Sequence, residues 1–185
     1  MPFDLETGKL KAKDNGLTYV GTIANYLMEQ IKVDPTVVAI CAGTPGGFGF
    51  NSEWRKAAGK QYIDVGIAEE HAIAMSSGIA KNGGKPVFNV YSTFLQRTYD
   101  QLVQDLCVNN NSAVIINHQA SVYGMNDVTH LGFFDIPMLT SIPNLVYLAP
   151  TNNEELLAMT EYAVHQHEHP VAIRVPVGEF TSTGV

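Results

Sequence analysis

Five short runs of this chain are apolar at nearly every position: 37–42, 86–91, 113–117, 145–149 and 171–175. A strand that is apolar on both sides must be covered on both faces, which is the signature of a buried parallel sheet and not of a half-solvated antiparallel one. Between the runs lie segments whose apolar residues recur at helical spacing, the clearest being 18–33, where Val20, Ile23, Ala24, Leu27, Met28 and Ile31 fall on one side. Further helices are predicted over about 68–81, about 94–108 and to about 165, with a short strand near 62–65. Thr151 followed by Glu154 has the spacing of a capping box for the last of these helices. The alternation predicts a three-layer α/β/α domain with a mainly parallel sheet and right-handed crossovers. Ligands of such sheets bind at the carboxyl ends of the strands.

Residues 1–16 show no apolar period and read as a linker or leading arm, leaving 17–180 as one domain. With 45% hydrophobic residues, 185 residues suffice to bury one core. The formal charge of −7 and the lack of a Lys/Arg-rich run leave no electrostatic footprint for nucleic acid or an anionic membrane. No apolar run reaches the length of a membrane span, and the first residues are acidic where a signal peptide is basic. Cys41 and Cys107 are not spaced as a metal or redox pair, so both read as small buried hydrophobes of a reducing compartment. The expected location is the cytoplasm.

Several segments carry polar groups that a site could use, and each has a plainer reading. The glycine-rich loop over 43–50 lacks the Gly-Lys-Ser/Thr ending of a P-loop and does not fit the dinucleotide fingerprint, so an ordinary βα loop accounts for it. Glu69 and Glu70 open a helix directly after a strand, where acidic residues also simply complement the helix dipole. His165, His167 and His169 lack zinc-site spacing, and no metal is expected. Tyr91, Phe94 and Arg97 stand at the end of a strand, where aromatics serve a core as readily as a ligand. The loop from His118 to Asp135 holds Asn126, Asp127 and His130, and it is long enough for a functional role. No Gly-x-Ser-x-Gly elbow is present to suggest a hydrolase.

Three runs carry a resemblance. They are Asp64-Val65-Gly66-Ile67-Ala68-Glu69-Glu70-His71-Ala72, then Tyr91-Ser92-Thr93-Phe94-Leu95-Gln96-Arg97, then Asp127-Val128-Thr129-His130-Leu131-Gly132-Phe133-Phe134-Asp135. In this order and spacing they closely resemble the pyrimidine-binding domain of the transketolase and 1-deoxy-D-xylulose-5-phosphate synthase family, over residues 3 to 178. The resemblance implies a site for the aminopyrimidine of thiamine diphosphate. Glu69, nine residues before Gly78, is then the catalytic carboxyl that hydrogen-bonds a ring nitrogen and shares its proton. Phe94 is implied to stack on the ring, with Tyr91 and Arg97 lining the same pocket. His130 is implied as a second catalytic group facing the sugar-phosphate substrate. His118 and Arg174 match positions that transketolases use for substrate phosphate, and Asn126 matches one that reads a substrate hydroxyl.

Three positions depart from the pattern. Gln119 and Val177 stand where the synthases carry phosphate-binding arginines, and Asn126 stands where both branches carry an aspartate. An amide still hydrogen-bonds but accepts no proton. The family binds the diphosphate and Mg²⁺ through a Gly-Asp-Gly segment and a downstream Asn in a separate domain, and this chain contains no Gly-Asp-Gly. The expectation is therefore a fragment of a larger transferase, or one subunit of a split one, that moves two-carbon units to aldose phosphates. Its implied partners are a diphosphate-binding domain or subunit and, since the family works as dimers, a second copy. The alternatives are a non-catalytic binding or assembly module of the same fold, or a domain like the β-subunit of a 2-oxoacid dehydrogenase.

Overall fold

A computed structural model describes residues 5–8, 18–121, 129–178 and 182. Helix α1 (Tyr19–Val33) leads into β1 (Val37–Cys41), followed by α2 (Ser52–Ala58), β2 (Tyr62–Asp64), α3 (Glu69–Lys81) and β3 (Lys85–Tyr91). A helical stretch follows at once, made of α4 (Ser92–Leu95), a 3-10 turn, α5 (Tyr99–Gln101) and a π turn (Leu102–Cys107). The remainder is β4 (Val114–His118), α6 (Asp135–Thr140), β5 (Val146–Leu148), α7 (Asn153–His165) and β6 (Val171–Val175). The six strands form one sheet in the order β2-β1-β3-β4-β6-β5, every pair parallel.

Both faces of the sheet are apolar because both are covered. Val37, Ala39, Cys41, Val87, Ile116, Ile173 and Val175 point toward α1 and α7 and join Ile23, Leu27 and Leu156 in one core. The alternate residues Ile40, Phe88, Val90, Ile115 and Ala172 point the other way, onto Ile73 of α3 and onto Leu95, Leu102 and Leu106. Each fully enclosed Leu, Ile or Phe stabilises the fold by about 2 kcal/mol relative to exposure. Helix α1 is capped by Thr18, whose Oγ1 accepts from the Gly21 amide at 3.1 Å. At its other end Asp34 accepts from Thr36 and pairs with Lys85 Nζ at 2.8 Å, tying α1 to the start of β3.

The expected elements are present with shifted ends. The cap of α7 is Asn152, not Thr151: Asn152 Oδ1 accepts from the Glu155 amide at 2.8 Å. The Glu155 carboxylate in turn accepts from the amide and hydroxyl of Thr151 at 2.7 and 2.9 Å. The capping logic holds one residue later. The helix expected from about 94 begins directly at Ser92 and is no single α-helix. Its π turn leaves carbonyls that side chains satisfy, Ser77 Oγ donating to Asp105 O at 2.6 Å and Asn109 Nδ2 to Gln104 O at 2.9 Å.

Two helices had no counterpart in the sequence reading. Helix α2 is short and only Ala58 in it is buried, so no apolar period announces it; its signal is Asn51, whose Oδ1 accepts from the Trp54 amide at 2.9 Å. Helix α6 lies inside the segment read as irregular, with Pro137 in its first turn, where a missing N–H costs nothing. The leading arm falls largely on residues outside those described. None of the described helices is long and apolar enough to cross a membrane.

Candidate functional site

The carboxyl ends of β1, β3, β4 and β6 lie side by side, with Tyr91 registered against His118 and His118 against Val175. The chain leaves β1 toward β2 on one side and β3 toward β4 on the other, so a crevice opens at the β1/β3 boundary. The glycine-rich loop after β1 folds over this edge. Its base is held by Asp64 Oδ1, which accepts from the amides of Gly43 and Gly66 at 2.8 and 2.9 Å. Gly47 lies so close to Tyr91 that a Cβ there would sit 2.7 Å from the phenol oxygen. Close packing against Tyr91 therefore explains this glycine without any phosphate.

Glu69 is the first residue of α3 and is 2% exposed. Its Oε2 approaches Arg97 Nη1 at 3.2 Å, yet the alignment is not that of a hydrogen bond, and the oxygen has no hydrogen-bond partner among the described residues. Arg97 Nε donates to Glu70 Oε1 at 3.2 Å, so one guanidinium faces both carboxylates from the far side of the crevice. With Arg97 about half exposed, the outer pair adds little stability, about 0–1 kcal/mol. A buried carboxylate oxygen with an unfilled acceptor position is a costly arrangement for a fold and a useful one for a site.

Arg97 follows directly on a segment that carries an aromatic group. The Tyr91 ring is 5.5 Å from Phe94, 4.2 Å from the His118 ring and 6.1 Å from the His130 ring, and Phe94 and His130 are 5.3 Å apart. Thr93 Oγ1 donates to Thr129 O at 3.2 Å, and Thr129 Oγ1 hydrogen-bonds His130 Nδ1 at 2.6 Å, fixing the ring beside Phe94. Glu69, Tyr91, Phe94, Arg97 and His130 are thus brought to one edge of the sheet. Asn126 lies outside the described residues.

His118 and Arg174 meet other groups than a phosphate. His118 is 1% exposed beneath Tyr91, and its Nδ1 is 3.0 Å from Asn89 Oδ1. Burial pushes its pKa down to about 3, so the imidazole is neutral and has no charge to offer an anion. The Arg174 guanidinium is engaged by Asp135: its Nε donates to Asp135 Oδ2 at 2.8 Å, and Nη2 reaches Gly132 O at 3.5 Å. Asp135 is itself 1% exposed, and the same Oδ2 accepts from Asn117 Nδ2 at 2.9 Å and Tyr147 Oη at 2.6 Å. His165, His167 and His169 form no metal cluster, and no group of three candidate ligands occurs among the described residues.

Sequence reasoning passed over Asn89, Asn117 and Tyr147. A signal was available for two of them, because Asn89 and Asn117 interrupt strand runs that are otherwise apolar, and a buried amide in such a run must have a partner.

Comparison with known proteins bears on the family and the fold. The family model described as "Transketolase, pyrimidine binding domain" matches residues 15–182. The 1-deoxy-D-xylulose-5-phosphate synthase of Halothermothrix orenii is 39% identical over 178 residues, which is 96% of this chain and 28% of that protein. The chain thus spans little more than a quarter of the length of such relatives. Transketolase from Campylobacter jejuni superposes with a TM-score of 0.79 at 16% identity, over 93% of this chain and 27% of that one. A split-gene transketolase, an inactive β4 tetramer, superposes with a TM-score of 0.75 at 20% identity, over 92% and 55%. Matched along nearly its whole length, and folded as these structures are, the chain belongs to the transketolase pyrimidine-binding-domain family.

Proposed function

We propose that this chain supplies the pyrimidine-binding half of a thiamine-diphosphate-dependent transferase of the transketolase and 1-deoxy-D-xylulose-5-phosphate synthase type, which moves two-carbon units to aldose phosphates. The observation that carries the reading is Glu69, a carboxylate 2% exposed with an oxygen that no described residue hydrogen-bonds, at the edge where the aromatics converge. An aminopyrimidine fits that environment: a ring nitrogen can meet Glu69 Oε2 while the ring face lies on half-buried Phe94. Glu69 and Phe94 would hold the pyrimidine end of thiamine diphosphate, which would supply nucleophilic carbon chemistry that these side chains lack.

This chain's own residues have narrower tasks. Glu69, itself buried, holds or passes a proton at Oε2. Arg97 orients Glu69 and balances its charge, while Phe94 and Tyr91 set the plane of the ring at little cost in side-chain entropy. His130 presents an imidazole to the substrate side, and Asn126 offers an amide to a substrate hydroxyl. The diphosphate and its Mg²⁺ fall to a separate domain or subunit, with assembly as a dimer in the cytoplasm.

A non-catalytic assembly module of the same fold is the second reading. It is favoured by Gln119 and Val177, which carry no charge for a phosphate, and by the engagement of His118 and Arg174 within the fold. Calorimetric titration of thiamine diphosphate with Mg²⁺ into this chain mixed with a diphosphate-domain polypeptide tests the proposal. Binding that Glu69→Gln weakens, together with ketol transfer that Glu69→Gln abolishes, is the expected result. Binding without turnover selects the assembly module, and no binding refutes the cofactor reading.

A further inference from the structure

The chain from Thr129 into the start of α6 carries His130, whose ring lies against Phe94 and Tyr91, and is tied to the rest of the fold at Thr129, Gly132 and Asp135 among other contacts. Thr93 holds the first, at Thr129 O. The second is Gly132, packed onto the turn after β4, where Gln119 has a φ of 54° and a Cβ on Gly132 would meet Gln119 O at 2.0 Å. The third is Asp135. Its Oδ2 receives Asn117 from the end of β4, Arg174 from β6 and Tyr147 from β5, three donors on one oxygen inside the fold. Asn117 and Arg174 are register partners on neighbouring strands, so the carboxylate straddles two strand ends at once.

We propose that Asp135 and Arg174 are positioning residues, a latch that holds the 129–134 segment so that His130 stands against Phe94 and Tyr91. The role of His130 as a site group rests on the function proposed above; the latch itself does not. A buried ion pair is a poor source of net stability compared with apolar packing, and its best use is to specify one arrangement of the chain. Arg174 touches the segment twice, at Asp135 and at Gly132 O, so loss of the pair releases the segment at both points. Lysine cannot replace it, because a single ammonium cannot reach two acceptors in a fixed fork.

The latch is tested on this chain alone, without cofactor, by NMR of histidine ring carbons and by amide hydrogen exchange. Asp135→Asn and Arg174→Lys are each expected to move the His130 ring signals toward those of a solvent-exposed histidine. They also speed exchange of the Met138 amide, which donates to Phe134 O at 3.3 Å where the segment enters α6, by about tenfold or more, as loss of a charged hydrogen bond implies. The His71 and His165 signals stay in place. Folded variants with unchanged His130 signals and unchanged exchange overturn the proposal. Should both variants fail to fold, Tyr147→Phe removes one donor from Asp135 and leaves Arg174 intact; the same shifts at smaller amplitude support the latch, and their absence refutes it. Because the readout needs no thiamine diphosphate, failure of the cofactor reading leaves this test standing, and failure of the latch leaves the titration of Glu69 untouched.

Discussion

His118 makes the pH dependence of this domain calculable. An unfolded histidine titrates near pH 6.5, whereas the buried imidazole has its pKa lowered to about 3 by desolvation. Because the folded pKa is depressed, the contribution to stability is full above about pH 6.5 and is lost as pH falls toward about 3. At pH 5 most unfolded chains have taken up this proton and the folded chain has not, which favours unfolding by about 2 kcal/mol. That figure depends on the unfolded value alone so long as the folded group titrates below about pH 4. Urea unfolding at pH 7, 6 and 5 measures it, with His118→Gln as the control because an amide does not titrate. Between pH 7 and 5 the native chain is expected to lose about 2 kcal/mol more than the variant. Equal losses, or an NMR titration placing His118 near pH 6.5, refute the burial argument.

Two further outcomes follow from packing. Gly132→Ala drives a Cβ to within 2.0 Å of Gln119 O and 3.0 Å of Ala120 Cα, both backbone atoms, so the upper part of the usual overpacking cost of about 1–3 kcal/mol is expected in urea unfolding. Gly78→Ala, inside α3 with no atom within 4 Å of the added Cβ, is expected to stabilise by about 0.5–1 kcal/mol. Cys41 and Cys107 are buried, and desolvation raises both thiols, Cys107 to about 12. Iodoacetamide at pH 8, followed by mass spectrometry, should label neither in the native chain and both in denaturant, since only a thiolate reacts. Rapid native labelling contradicts the burial.

The strands were legible because burial on both faces leaves a nearly continuous apolar run, and α1 was legible because its buried stripe repeats at 3.6 residues. Helices α2 and α6 were not, since one buries a single residue and the other is six residues long, too short for a period to emerge. Phe94 and Glu69 were singled out by the resemblance of their motifs to the family, since chemistry alone left each with a plain core or helix-start reading. For Asn89 and Asn117 the sequence held a clue in the interruption of apolar strands.

By itself, then, the order of apolar runs determined a covered parallel sheet, and the three motifs determined the family. Neither could determine what each polar side chain touches. Arg174 and Asp135 lie thirty-nine residues apart, and only the parallel register of β4 with β6 brings Asn117 beside Arg174 and places both under one carboxylate. His118 has the same covalent structure as His130. One is buried beneath Tyr91 and held neutral, the other is half-buried in the crevice; enclosure by the fold, a property of the folded chain and not of the residue, sets that difference.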